Sequence, residues 1–155
     1  DLKKDYDYIL IDCMPSLGML TINALAAADS VIVPVQAHYL SAKGMTQLMK
    51  TISKVQRQLN PNLKIDGVLL TLADMRTKLA RTTEDSLRQN YGKYIKIFKT
   101  VIPVAVTAAE SSAAGQSIYK HDKNGTVAKA YAEFTRGVIQ CGEKQRNKHE
   151  SSLSR

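Results

Sequence analysis

The 155-residue sequence has no tryptophan, two cysteines, four prolines and two phenylalanines. The cysteines, Cys13 and Cys141, lie far apart and show no paired spacing. They suit neither a disulfide framework nor a zinc site, so a reducing, cytoplasmic setting is expected. No apolar run is long enough to span a bilayer, and no secretory signal pattern precedes the first strand-like run. Glycine and proline are too sparse for a collagen-like chain, and no internal repeat is found. Acidic residues are also in deficit: 22 Lys+Arg against 14 Asp+Glu give a formal net charge of +8. Such a balance favours a polyanionic partner without identifying it.

What remains is an ordinary globular composition, 44% hydrophobic and 23% charged, on a length that suits one domain. The sequence opens at Asp1 and enters a strand-like run within a few residues, so it reads as a piece of something longer. That run is Tyr8-Ile9-Leu10-Ile11, bounded by Asp7 and Asp12. Ser30 to Val35, Ile65 to Leu72 and Ile95 to Val101 are three further apolar runs. Continuous apolar runs predict strands covered on both faces, as in parallel sheets, although Pro34 and Gly67 weaken the strands they sit in.

Between these runs the period becomes helical. Met45, Leu48, Met49, Ile52, Val55 and Leu59 fall on one stripe, with Lys50, Lys54 and Arg57 off it, until Asn60-Pro61-Asn62 ends the helix. Thr77 to Tyr91, closed by Gly92, is a second helix. Thr126 to Gln140 is a third, with Val127, Ala130, Tyr131, Phe134 and Val138 on one face. Leu17 to Ala28 is a shorter one. Alternating strands and helices predict an α/β fold: a doubly wound, mainly parallel sheet flanked by helices. Residues 1–141 would form this domain, and the polar stretch 142–155, without an apolar stripe, is expected to be a disordered tail.

The segment richest in chemistry is Tyr8-Ile9-Leu10-Ile11-Asp12-Cys13-Met14-Pro15-Ser16-Leu17-Gly18. An acid at the carboxyl end of a buried strand sits where open α/β sheets place ligands, and in nucleotide hydrolases it holds Mg²⁺ beside the phosphates. The Pro-Ser-Leu-Gly turn that follows could respond to a γ-phosphate. Taken alone, four apolar residues and an Asp more often mean a strand end with a capped turn.

The longer string decides the weighting. Asp7 to Leu25, followed by Ala28-Asp29-Ser30-Val31-Ile32-Val33-Pro34-Val35-Gln36, resembles the ParA/Soj branch of the ParA–MinD ATPases. The likeness continues through Leu69 to Thr77, Lys99 to Pro103, Glu110 to Gly115 and the helix after Gly125. It implies a partial P-loop NTPase fold, with Asp12 as the Walker B acid that places Mg²⁺, directly or through water. Pro15, Ser16 and Gly18 would belong to switch II, Asp74 and Arg76 to the loop near the nucleotide base, and Pro103 would pack near adenine. The parent would be a slow, Mg²⁺-dependent ATPase for plasmid, chromosome or mobile-element partition. It would form a homodimer with ATP, bind DNA non-specifically, respond to a ParB-like partner and associate with the nucleoid.

Three departures qualify that picture. No Gly-Lys-Gly-Gly or Gly-Lys-Thr occurs, and a phosphate cradle needs such backbone N–H groups with a lysine. The chain by itself is therefore expected to carry no bound ATP or Mg²⁺ and to be inactive. Met14 stands where the family usually has a second proline. Thr107 stands where it usually has an arginine used on DNA.

DNA contacts are then expected from Lys78, Arg81 and Arg88, within a stretch that also carries Arg76, Lys93, Lys96 and Lys99 against only Glu84 and Asp85, or from tail residues such as Arg146. The related MinD branch ends in an amphipathic membrane helix; beyond Cys141 only Leu153 is a large apolar residue, so no membrane partner is expected. Cys13 and the methionines read as core residues. His38, His121 and His149 lack metal-ligand spacing. Glu110, Ser111 and Ser112 have no obvious histidine to complete a hydrolytic triad. The rival function is a non-enzymatic DNA-associated or regulatory module that keeps the fold without the nucleotide site.

Overall fold

The computed structural model describes residues 2–14, 16–37 and 42–153. Met19–Ala27 form helix α1 and Ser30–Gln36 strand β1. They are followed by α2 (Ala42–Gln58), β2 (Lys64–Ala73), α3 (Lys78–Tyr91) and β3 (Ile97–Pro103). Three helices complete the order: α4 (Val106–Ala113), α5 (Ile118–His121) and α6 (Thr126–Leu153). The strands make one sheet in the order β1-β2-β3. β2 and β3 are parallel, with Val68 opposite Ile97 and Ala73 opposite Pro103. β1 runs the same way, because Lys64 N donates to Asp29 O near its start and Ala37 N to Thr71 O near its end. Helices precede and follow each strand, as right-handed crossovers require.

The chain forms two compact units, residues 1–31 with 41–65, and residues 32–40 with 66–155. In the first, Leu25, Ile52, Val55 and Leu63 make a core, joined by the partly buried Ile22, Val31, Leu48 and Met49. Asn60, just past α2, locks this core from its side chain: Nδ2 donates to Leu25 O at 3.1 Å and Ala28 O at 2.7 Å. Those are carbonyls at the end of α1 that no helical N–H can reach.

In the second unit Leu69, Phe98, Ile102 and Val127 make the core, with Ala130, Phe134 and Val138 of α6 packed against it. Phe98 and Phe134 meet edge to face, their centroids 4.9 Å apart. Gly67 is required here: its φ is +151°, and an added Cβ would stand 2.7 Å from Lys96 O and 2.8 Å from the Phe98 ring.

Four sequence expectations need correction. Tyr8–Ile11 is not a strand: it has no ladder partner among the described residues, and all four side chains are exposed. Cys13, which follows it, is exposed for the same reason. Met45 is buried as expected, but Met14 and Met19, beside the uncovered run, are not. Helix α6 runs on to Leu153 instead of ending near Gln140, so residues 142–153 are helical. Glu, Lys, Gln and Arg there are good helix formers, and a helix already nucleated propagates through them without an apolar stripe.

Candidate functional site

Chemistry-bearing residues gather at the carboxyl ends of β2 and β3, the edge where parallel α/β sheets receive ligands. A bulge shapes this edge. From Leu70 opposite Val101 to Ala73 opposite Pro103, β2 spends three residues where β3 spends two. The extra residue is absorbed at Leu72, whose φ of +49° is the one left-handed non-glycine conformation among the described residues. Bulges re-aim the chain beyond them, and here the next residues are Asp74 and Arg76.

Asp74 organises the loop. Arg76 Nε donates to Oδ1 and Nη2 to Oδ2, both at 2.9 Å, while the Arg76 backbone N–H also reaches Oδ1 at 3.1 Å. Arg76 is 91% exposed and Asp74 24%, so the pair is a fork presented to solvent on an anchored carboxylate. The hydrogen bond and charge of Asp74 raise the guanidinium above its ordinary pKa, so Arg76 stays charged. Thr77 N and Oγ1 both donate to Asp74 O, and Thr77 Oγ1 in turn accepts from Ala80 N. This caps α3 and makes the loop one continuous turn.

Pro103 closes the same edge, with Val104 N donating to Ala73 O at 3.4 Å. Ala105 is the N-cap of α4 and makes no side-chain cap bond, while Ala108 N donates to Ala105 O at 3.3 Å. Leu72, Val104 and Val106 are exposed apolar residues of the two strand ends and α4. The structure thus brings Asp74, Arg76 and Pro103 together.

Asp12, Ser16 and Gly18 belong to the first unit. Asp12 is exposed, and its carboxylate has no hydrogen-bond or ion-pair partner among the described residues. Ser16 N donates to Met14 O at 2.7 Å, and Thr21 Oγ1 donates to Ser16 O at 2.6 Å, which pins the turn onto α1. Gly18 is the N-cap of α1, again with no side-chain cap bond. Pro15 lies outside the described residues, as does His38.

Among the described residues no three His, Cys, Asp or Glu side chains gather as a metal cage. A lone free carboxylate suits Mg²⁺ only in the manner of nucleotide sites, where phosphates and water complete the shell.

The basic residues on α3 are more committed than their sequence pattern suggests. Lys78 is exposed at the helix start. Arg81 Nε donates to Met75 O at 2.7 Å and so helps hold the Asp74 loop. Arg88 donates through Nε and Nη2 to Glu84 Oε1, at 3.0 and 2.6 Å, and through Nη2 to Phe98 O at 3.4 Å. The expectation that no histidine pairs with Glu110 needs correction: His121 Nε2 lies 3.7 Å from Glu110 Oε2, because the chain turns back between α4 and α5. A triad still does not form, because Ser111 and Ser112 both donate their hydroxyls to Ala108 O. Helices α4 and α5, which set that pair, carry no strong apolar period by which a sequence could announce them.

With this geometry in hand, comparison with known proteins gives consistent matches. Residues 1–65 match a family model described as an AAA domain. The chain is 43% identical over 141 residues to the sporulation initiation inhibitor protein Soj of Bacillus subtilis, covering 91% of the chain and 55% of that protein. It is 40% identical over 138 residues to the chromosome partitioning protein ParA of Myxococcus xanthus, covering 89% and 48%.

The chain is a homologue of the Soj and ParA proteins.

This Soj/ParA homologue spans about half the length of the curated relatives it matches. Among solved structures it resembles cobyrinic acid a,c-diamide synthase from Mycobacterium smegmatis with bound ADP and magnesium. The TM-score is 0.74 at 34% identity, over 92% of this chain and 50% of that one. A second structure of the same protein, with an ATP analogue and magnesium, gives a TM-score of 0.75 at 35% identity. The parallel three-stranded sheet with its flanking helices is therefore part of a P-loop NTPase fold.

Proposed function

We propose that this Soj/ParA homologue is the part of a partition ATPase that carries the Walker B acid, switch II and the base-side loop. In the whole protein Asp12 holds Mg²⁺, directly or through water, beside the phosphates of ATP. Bound Mg-ATP supplies the electrophilic phosphorus and the charge neutralisation for phosphoryl transfer to water. This chain's own residues do the rest. Pro15, Ser16 and Gly18 report nucleotide state to the dimer face, with the Ser16 carbonyl held to α1 by the Thr21 hydroxyl. Asp74, Arg76 and Pro103 border the nucleotide base at the strand ends.

The ATP-bound homodimer binds DNA non-specifically, with contacts from Lys78, Arg81 and Arg88. A ParB-like protein stimulates turnover, and the cargo is a plasmid, chromosome or mobile element. The setting is cytoplasmic and nucleoid-associated; among the described residues no helix is long and apolar enough to cross a membrane.

The observation that carries this reading is the uncommitted, exposed Asp12 carboxylate, placed just before a turn and an uncapped helix in a chain 43% identical to Soj. A carboxylate kept only to end a strand or cap a turn would have a backbone N–H to accept from. The chain contains no Gly-rich phosphate cradle, so titrating it alone with Mg-ATP in a calorimeter should show no micromolar binding. In the whole protein Asp12→Asn should abolish ATP hydrolysis while leaving the fold intact by circular dichroism. Full hydrolysis by that variant overturns the role of Asp12. Reversing Lys78 and Arg81 to Glu should release the whole protein from DNA at moderate salt, and undiminished retention removes α3 from the DNA surface.

A further inference from the structure

Arg81 reads in the sequence as one of the free cations of α3, yet the structure commits it. Its Nε donates to the Met75 carbonyl at 2.7 Å, six residues back and outside the helix. Competing partners stand on α3 itself, at the spacings that suit helical ion pairs. Glu84, at i+3, is taken by Arg88. Asp85, at i+4, is exposed and has no hydrogen-bond or ion-pair partner among the described residues. Arg81 passes over that free carboxylate and ties α3 to the loop before it.

Met75 is the member of the Asp74–Thr77 loop that the loop's own bonds leave out. Thr77 N and Oγ1 donate to Asp74 O, Arg76 donates to the Asp74 carboxylate, and Arg81 N donates to Thr77 O at 3.4 Å. Among the described residues no backbone N–H reaches Met75 O. The chain also enters the loop from Leu72, whose φ of +49° costs a leucine free energy and persists only where its surroundings over-determine it. A charge-assisted bond from a helix supplies that constraint, fixing the Met75 peptide between the strained residue and the Arg76 fork.

We infer that Arg81 is a positioning residue for nucleotide binding: through the Met75 carbonyl it holds the loop in the shape that sets Asp74 and Arg76 against the base. The role rests on the reading that this loop borders the base. It is compatible with a contact to DNA, since the Nη groups of Arg81 make no bond among the described residues. Without Arg81 the loop spends part of its time in other shapes, and affinity falls with the fraction that stays competent. The chain has no Gly-rich phosphate cradle, so the loss falls on the base end of the ligand and not on its phosphates.

In the chain without nucleotide, Arg81→Ala should speed amide exchange at Arg76 and Thr77, whose N–H groups bond within the loop, about fivefold or more. Exchange at Val68, bonded to Lys96 O in the sheet, should not move. Arg81→Lys, which keeps a cationic donor at the same helix position, should restore the slow loop rates. In the whole protein, with DNA absent, Arg81→Ala should weaken ATP binding about fivefold and leave inorganic tripolyphosphate, which has no base, unaffected. Unchanged loop exchange, unchanged ATP affinity or a lysine variant no better than alanine overturns the inference. An equal loss for ATP and tripolyphosphate also overturns it, because a general loosening of the fold gives that result. Arg76→Ala tells the two readings apart. If it leaves ATP affinity unchanged, the loop does not border the base, and the positioning role falls with that reading. If it weakens ATP while Arg81→Ala does not, the base-side loop stands and only the role of Arg81 is overturned.

Discussion

Val68-Leu69-Leu70 and Ile9-Leu10-Ile11 are nearly interchangeable as sequence, yet the first is 0–5% exposed and the second 49–92%. Val68-Leu69-Leu70 lies in β2, which has strands on both edges, with α6 packed on the Leu69 side among its neighbours. Ile9-Leu10-Ile11 has neither. A buried Leu or Ile side chain is stabilised by about 1.5–3 kcal/mol relative to exposure, so the second run forgoes a stabilisation that the first collects. An apolar run therefore encodes a demand for cover, and whether it becomes a strand depends on what stands beside it.

That contrast can be broken or sharpened by substitution, most strongly at β2. Leu70→Ala should cost about 2–5 kcal/mol, read as a fall in the urea midpoint, because Leu70 is 1% exposed and leaves a cavity. A cost below about 1 kcal/mol would mean that β2 is packed no better than the bare run. Gly67→Ala should cost about 1–3 kcal/mol, since φ of +151° and the Lys96 carbonyl both exclude a Cβ. Thr83→Val should cost about 1–2 kcal/mol: Thr83 Oγ1 donates to Ala37 O at 3.0 Å, and valine keeps the shape while stranding the carbonyl that ends β1. At the other extreme, Leu10→Ala should stay within about 0.5 kcal/mol of the parent, because a side chain already in water has little to lose. A large loss there would show that Leu10 is covered in solution.

The Asp74–Arg76 fork separates shape from stability. It has two bonds of 2.9 Å, but Arg76 is almost fully exposed, so Arg76→Ala should leave the urea midpoint unmoved. Its effect should instead be on whatever meets the strand ends.

Much of this architecture was legible in advance because local signals agreed. The helix expected from Thr77 to Tyr91 and closed by Gly92 is α3, with Thr77 as its N-cap, and Asn60-Pro61-Asn62 closes α2. Asp74, Arg76 and Pro103 were named from resemblance, and strand register then placed them on one edge. The bulge at Leu72 gave no signal, since leucine has no preference for a left-handed backbone and only the pairing of three residues against two requires it. Arg81 and Arg88 looked like free cations because a charge pattern does not show that Met75 O and Glu84 lie within reach.

The alternation of helices and strands from α1 to β3, the parallel α/β class and kinship with Soj and ParA were determined by the sequence itself. Periodicity, caps and residue-by-residue likeness are local properties that survive without knowing what packs on what. The exposure of Asp12, the bareness of Tyr8–Ile11 and the convergence of Asp74, Arg76 and Pro103 were decided only by tertiary structure. Burial and convergence belong to pairs of segments distant along the chain, and no single segment carries its partner's coordinates.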